Sequence, residues 1–193
     1  MEFLKAKKFI LDKLNKQLPK YLKYHSVEHV RDVYDSAERI AKTEGVKGEE
    51  LTLLLTAALF HDSGFLDGQK DHEQGSCDLA KEHLPDFGYT DEQIQCICGM
   101  IMATKIPQTP HNLLEEIICD ADLDYLGRED FFKIGNSLFT ELSLYGLIRD
   151  EEEWDHLQVR FLEGHHYFTK TSLANRKGKK DEYLAILKSK IHK

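Results

Sequence analysis

Side chains that can bind a metal ion end the most apolar stretch of the chain. His61 and Asp62 follow the run LTLLLTAALF of residues 51–60, whose apolar positions have helical spacing. An ionised Asp is costly to bury unless it is paired or coordinates a cation. Taken alone, the pair is more simply explained as the capped end of a helix with two surface side chains, so the rest of the chain has to decide.

Two further segments place metal-ligand types beside apolar helix faces. His29 begins one of them. Taken alone, a histidine at this place is more simply explained as a hydrogen-bonded residue at the edge of the core than as a metal ligand. Residues 117–126, IICDADLDYL, carry the carboxylates of Asp120, Asp122 and Asp124 within an apolar helical pattern. At least one of these carboxylates is expected to point inward, where it needs a metal, an arginine or a cap. Carboxylates near a helix C-terminus also oppose the helix dipole, which argues against a purely structural role.

Together the segments supply two imidazoles and two carboxylates from three expected helices: His29, His61, Asp62 and Asp122. This set of two nitrogen and two oxygen ligands suits a borderline-to-hard divalent ion such as Mn, Mg, Co, Ni, Fe or Zn, with water in the remaining positions. The combination is more specific than any of its members. The sequence therefore predicts a divalent metal site of open identity.

The elements that must position these side chains are all predicted to be helical, because no segment alternates with period 2 and is enriched in β-branched residues. Ser26 is an expected N-cap, Thr90 and Gln93 resemble a capping box, and a loop is expected from Ser63 to Gln69. Helices are predicted over residues 3–18, 27–42, 51–60, 72–84, 90–104, 112–123, 129–148 and 151–173, with a last one after Gly178 that ends near Ile191.

The chain of 193 residues is long enough for one well-buried domain, and it shows no linker or repeat. We expect a single all-α domain over residues 1–193. Its metal-site core is predicted at about residues 20–127, and the helices of residues 128–193 are predicted to pack on that core.

The net charge of −8 disfavours binding to a nucleic-acid duplex. No apolar run approaches the roughly 20 residues that cross a bilayer, and the first residues lack a signal-peptide pattern, so no membrane partner and a cytoplasmic location are expected. The cysteines are expected to be reduced thiols. Homodimer formation is left open.

The order H…HD…D resembles that of the HD superfamily of metal-dependent phosphohydrolases. Residues 24–29, YHSVEH, look like the YHxxxH segment of cyclic-nucleotide phosphodiesterases, and residues 57–62, AALFHD, look like the helix that ends in HD. Residues 121–123, ADL, resemble the final A-D motif, which selects Asp122 among the three carboxylates. The resemblance covers about residues 20–127 and implies an all-α helical bundle.

The resemblance also implies a function. It indicates a metal-dependent phosphodiesterase or phosphomonoesterase that hydrolyses a small phosphorylated molecule, a nucleotide in particular, by means of metal-activated water. By analogy, His25 protonates the leaving oxygen, and Asp62 is both catalytic and a ligand. Apart from the resemblance, Lys105 and Arg128 lie close in sequence to the expected site and are candidate substrate-binding residues, as is His72. His72 could instead only support a ligand or lie on the surface, and His25 could instead only cap or brace the start of its helix. His165, His166 and Tyr167 are expected to serve only helix packing on the Glu151 helix.

The sequence also departs from the better-defined subfamilies. Binuclear members add two histidines between HD and the final Asp; His72 fits the first, but Met102-Ala103-Thr104 stands where the second is expected. One ion, or a weakly held second ion, is therefore favoured. The missing histidine disfavours a di-iron oxygenase, and the absence of a GYP motif disfavours a cyclic-di-GMP hydrolase. A non-catalytic nucleotide-binding regulator stays open, although the intact ligand quartet argues against it.

Overall fold

The computed structural model describes residues 1–68 and 70–191. These residues form nine α-helices and three short 3₁₀ helices without a strand, which confirms the all-α prediction. Residue 69, at the end of the predicted loop, and residues 192 and 193, at the end of the predicted domain, lie outside the described residues. The α-helices are α1 (Phe3–Gln17), α2 (Val27–Glu44), α3 (Gly48–Phe60), α4 (His72–His83), α5 (Asp91–Ala103), α6 (Leu113–Asp122), α7 (Phe131–Leu144), α8 (Glu151–Gly164) and α9 (Lys170–Ile191). The 3₁₀ helices are Ser63–Leu66, Leu84–Phe87 and Asp124–Gly127.

The helix that ends in the His-Asp pair lies at the centre of the main core. Every side chain of α3 from Leu53 to Phe60 is buried, and the helix contacts α1, α2, α5 and α6. A helix that is apolar on all sides has to be covered on all sides. The end of α3 is therefore held in place by burial, at roughly 1.5–3 kcal/mol for each large apolar side chain.

Two of the predicted helix starts are confirmed. The Ser26 hydroxyl accepts the backbone N–H of His29 at 3.3 Å and so fixes the first turn of α2. Thr90 and Gln93 form a complete capping box at the start of α5.

The C-terminal helices form a second core against the first. It contains Tyr24, residues of the 3₁₀ helix Asp124–Gly127, and apolar residues of α7, α8 and α9. Gly127 permits the close approach of α9, because a Cβ on Gly127 would lie 2.4 Å from the carbonyl oxygen of Arg176. No helix of the described residues is long and apolar enough to span a membrane.

The prediction for residues 151–173 was wrong. The helix ends at Gly164, and α9 begins at Lys170 and continues through Gly178. His165, His166 and Tyr167 therefore lie in the break between the helices and not on a long helix. The break has a tertiary cause, because the backbone N–H groups of Phe168 and Thr169 donate to the buried carboxylate of Asp120.

Candidate metal centre and cavity

The four predicted ligands converge from three helices. His29 lies in the first turn of α2, His61 and Asp62 follow α3, and Asp122 ends α6. His29 Nε2 lies 3.2 Å from Asp122 Oδ1 and 3.4 Å from Asp62 Oδ2. His61 Nε2 lies 3.2 Å from Asp62 Oδ2 and 3.6 Å from Asp122 Oδ1. Ligand atoms of His29, His61 and Asp122 all lie within 4.8 Å of one another, so one ion can reach all three.

Buried polar atoms without partners indicate that a cation fits this cluster. In the described residues, neither His61 Nε2 nor Asp62 Oδ2 has a hydrogen-bond partner, although both are buried. The two atoms lie 3.2 Å apart but make no hydrogen bond with each other, and buried polar atoms without hydrogen bonds cost roughly 1–3 kcal/mol each. His61 Nδ1 donates to the Ala58 carbonyl oxygen at 2.9 Å, which leaves Nε2 as the ring nitrogen that faces the cluster. The donor atoms match those that divalent ions of the predicted kind prefer.

Without an ion, protons take over part of the cation's role. Burial alone lowers the pKa of His61, but the neighbouring carboxylates of Asp62 and Asp122 raise that pKa well above its ordinary value. Burial raises the pKa of Asp122, but the two histidines outweigh this effect and lower it to about 2. The carboxylates therefore stay ionised and attract either protonated imidazole or a metal ion.

A cavity of about 210 Å³ opens beside the cluster. At one end it is lined by Asp62 and Asp122, together with His25, His72 and Glu73. The rest of its wall is mainly apolar and comes largely from α7 and α8, including Leu138, Trp154 and Phe161. Within the described residues, no Lys or Arg side chain lines it.

Two histidines that line the cavity, His25 and His72, both stack on the ring of Phe65. The ring of Phe65 stacks on His25 with the centroids 4.0 Å apart and on His72 with the centroids 4.2 Å apart. His72 Nε2 also lies 3.7 Å from Asp62 Oδ1. Both histidines thus line the cavity without belonging to the group of three closest ligands.

The structure does not bring the other two candidate substrate-binding residues into the cavity. Lys105 is exposed and pairs with Asp71 at 3.2 Å. Arg128 forms a pair of hydrogen bonds with Asp32, at 2.7 and 2.9 Å, and two more with Asp130. Neither side chain lines the cavity, so their positions give no support to substrate contact.

The two remaining carboxylates of the IICDADLDYL segment have structural partners. Asp120 caps the backbone of residues 168 and 169. Asp124 accepts hydrogen bonds from Arg176 and lies 2.8 Å from Arg39. Two of the partners that the sequence left open, a cap and an arginine, are thus found for Asp120 and Asp124. Asp122 is the carboxylate that remains at the candidate metal centre.

Sequence reasoning missed two buried carboxylates near the site, Glu73 and Glu141. Glu73 is 6% exposed and lines the cavity, and Glu141 is fully buried beside His25. A periodicity signal existed for both. Glu73 shares the buried face of α4 with Ser76 and Cys77, and Glu141 continues the apolar positions of α7 such as Leu138. A carboxylate on an apolar helix face indicates a buried partner.

Comparison with known proteins agrees with this geometry. The family model described as the HD domain matches residues 26–124. Among solved structures, the chain is similar to a predicted HD superfamily hydrolase from an uncultured Thermotogales bacterium, at 22% identity over 94% of this chain and 87% of that chain, with a TM-score of 0.62. No curated protein matches the chain significantly.

Two other solved structures match over nearly their whole length. A protein from Lactobacillus plantarum is 19% identical over 98% of both chains, with a TM-score of 0.68. Bacillus subtilis YpgQ, in complex with ADP, is 20% identical over 98% of this chain and 97% of that chain, with a TM-score of 0.63. At these identities the likeness shows a shared fold, and it includes the C-terminal helices.

Proposed function

This chain belongs to the HD domain family, and on that basis we propose that it is a metal-dependent phosphohydrolase that cleaves a phosphate ester of a small molecule. The observation that carries the proposal is the convergence of His29, His61, Asp62 and Asp122 at one end of a cavity. In the proposal these four side chains hold one divalent ion. When bound, such an ion is a Lewis acid that lowers the pKa of the attacking water and offsets charge on the phosphoryl oxygens.

The protein side chains divide the remaining tasks. Asp62 is assigned two tasks, to bind the ion and to orient the reacting groups. Its Oδ2 faces the ligand histidines, while its Oδ1 lies on the side of His72. His25 is assigned as the general acid that gives a proton to the leaving oxygen as the P–O bond breaks. General acid catalysis typically contributes about 10²–10⁴-fold, and it matters most for poor leaving groups.

In the proposal the substrate is a nucleotide. The apolar part of the cavity, with Trp154 and Phe161, suits a flat base or a similar ring. The ADP in the YpgQ complex shows that a protein of this fold accommodates a nucleotide. Because no Lys or Arg of the described residues lines the cavity, the ion is expected to be the main partner of the phosphate.

Metal analysis followed by an activity screen tests the proposal. We expect the purified protein to bind Mn, Co, Ni or Mg, to hydrolyse nucleotide monoesters or diesters only with metal, and to lose activity with a chelator. Replacing His29, His61, Asp62 or Asp122 by Ala should lower metal occupancy. Asp78→Ala, on the exposed face of α4, is the control that should keep it.

The outcome distinguishes the competing functions. Full occupancy in the Asp122→Ala protein would refute the ligand assignment. Tight nucleotide binding without turnover by any metal form would replace hydrolysis with a regulatory binding function. Iron content together with oxidation of an organic compound would indicate an oxygenase instead.

A further inference from the structure

A carboxylate from outside the family-matched segment contacts His25, a residue that lines the cavity. Glu141 lies on α7, beyond the matched residues 26–124, and its side chain is fully buried. An ionised carboxylate in such a position is costly unless its oxygens are satisfied. Its contacts therefore indicate why it is there.

Both oxygens of Glu141 are used within one short segment. Oε2 accepts the backbone N–H groups of Lys23 and Tyr24 at 2.8 Å and that of His25 at 3.2 Å. Oε1 lies 2.5 Å from His25 Nδ1. The backbone contacts fix the loop ahead of α2, and the remaining oxygen is left for the imidazole.

The charge of Glu141 determines which ring nitrogen carries the proton. Burial raises the pKa of this carboxyl, but the hydrogen bonds from His25 and from the backbone outweigh the effect and lower it. An ionised carboxylate only accepts hydrogen bonds, so His25 Nδ1 must donate. Nε2 is then the ring nitrogen that is left to act in the cavity lined by His25.

We infer that Glu141 is a positioning residue for the leaving-group acid. Its carboxylate holds His25 in one orientation, with Nδ1 protonated towards Glu141 and Nε2 directed to the substrate. This inference rests on the proposed function, in which His25 is the acid. The ring of Phe65, which stacks on His25 with the centroids 4.0 Å apart, restrains the same imidazole.

The proton balance of the step follows from this arrangement. As the bond between phosphorus and the leaving oxygen breaks, its electron pair stays on that oxygen, which takes the proton from Nε2 of the imidazolium. The imidazole that remains is neutral and keeps its proton on Nδ1. Glu141 keeps its charge throughout and holds the ring in place for the next turnover.

The first measurement needs no variant. In wild-type protein at a pH at which the ring is neutral, long-range ¹H–¹⁵N NMR should show His25 as the Nδ1–H tautomer, the less common one for imidazole in water. The His25 signal is assigned with His25→Gln. A wild-type His25 in the Nε2–H form would overturn the inference.

The second measurement is kinetic and uses Glu141→Gln. Gln has the same shape but cannot satisfy the imidazole and the three backbone N–H groups by acceptance alone. We expect kcat on an alkyl or ribosyl ester to fall about tenfold or more, and kcat on a nitrophenyl ester to change little, with KM and metal content retained. Equal losses on both esters would overturn the positioning role.

A double variant separates positioning from general support of the fold. If Glu141 acts through His25, then Glu141→Gln should cost nothing further in a His25→Ala background, whereas a purely structural effect would add to it. Additive losses would overturn the inference.

The matched control is Glu44→Gln. Glu44 likewise holds a distant backbone N–H, that of Thr171 at 2.8 Å, but Thr171, unlike His25, does not line the cavity. The Glu44→Gln variant should leave the ratio of the two ester rates unchanged, and a changed ratio would contradict the specific role of Glu141.

A wild-type protein without any phosphohydrolase activity would refute the proposed function. The tautomer measurement would still decide whether Glu141 orients His25.

Discussion

The paired charges at the candidate metal centre are expected to make the proposed metal binding depend on pH. Asp62 and Asp122 raise the pKa of His61 well above its ordinary value, so the ion-free protein holds a proton that the ion has to displace. Raising the pH removes this competition. Affinity for Mn or Ni should therefore be higher at about pH 8 than at about pH 6.

Isothermal titration in buffers of different ionisation enthalpy checks this prediction, because it counts the protons released on binding. We expect a net release that becomes smaller as the pH rises. Binding with no proton release at either pH would mean that His61 is already neutral in the ion-free protein.

At the level of single residues, the sequence predicted a set of side chains that the structure brings together. Part of that prediction came from residue chemistry and part from the family resemblance. Residue type and apolar context identified His61 and Asp62 as a pair that needs a partner. They did not distinguish Asp122 from Asp120 and Asp124, since all three lie in one apolar segment; only the A-D resemblance did so. The distinction depends on Arg176, Arg39 and the backbone of Thr169, which are distant in sequence.

The contact between the 3₁₀ helix Ser63–Leu66 and α4 depends on one glycine. A Cβ on Gly64 would lie 2.0 Å from the carbonyl oxygen of His72 and 2.8 Å from the backbone nitrogen of Ser76. Because both neighbours are backbone atoms, Gly64→Ala should displace α4 and cost about 3 kcal/mol of unfolding free energy or more. It should also weaken activity, because α4 carries His72 and Glu73 to the cavity.

Chemical denaturation and metal analysis measure this effect, with Gly178→Ala as the control. Nothing lies within 4 Å of a Cβ at Gly178, which is inside α9, so this variant should be about 0.5–1 kcal/mol more stable than wild type. If Gly64→Ala were as stable as wild type, the close approach would not be required.

Gly178 also explains the main error at the level of helices. A glycine flanked by charged residues predicts a helix boundary, and the uninterrupted pattern of residues 151–173 predicts one long helix. The real boundary at residues 165–169 has no strong local signal, because it is fixed by hydrogen bonds to Asp120. Helices whose ends have local caps, such as α2 and α5, were predicted well.

The attachment of α9 to the metal-site core should weaken in acid through Asp124. Burial raises the pKa of Asp124, but Arg176 and Arg39 outweigh it and lower that pKa below its ordinary value. The carboxylate therefore stabilises the fold above the unfolded pKa of about 3.9, and this stabilisation is lost as the pH falls through the lower folded pKa. Asp124→Asn should cost about 1–3 kcal/mol near neutral pH, because the buried side chain no longer offers a charged acceptor to the partly exposed Arg39 and Arg176.

Unfolding curves over a range of pH provide the check. The difference between wild type and Asp124→Asn should shrink as the pH falls below about 4. The control is Asp12→Asn, whose exposed pair with Lys8 should matter little at any pH. A difference that stays constant down to the lowest pH would show that the arginine contacts do not act through charge.

Charge at the scale of the whole molecule opposes the proposed substrate. The chain has a net charge of −8, and within the described residues no Lys or Arg lines the cavity. A phosphorylated substrate is thus repelled by the overall field and attracted only close to the ion. Fields of this kind act over distances of about 10 Å at 0.1 M salt and are screened as salt increases.

Salt should therefore help the reaction. We expect kcat/KM for a nucleotide monoester, a dianion, to rise about two- to threefold as NaCl increases from about 20 to about 200 mM, because screening reduces the repulsion. A diester with a single negative charge is the matched control and should respond less. Stopped-flow or initial-rate measurements at a fixed, saturating metal concentration test both. A steep fall of kcat/KM with salt would indicate that a basic surface steers the substrate, which would contradict the expected repulsion between substrate and protein.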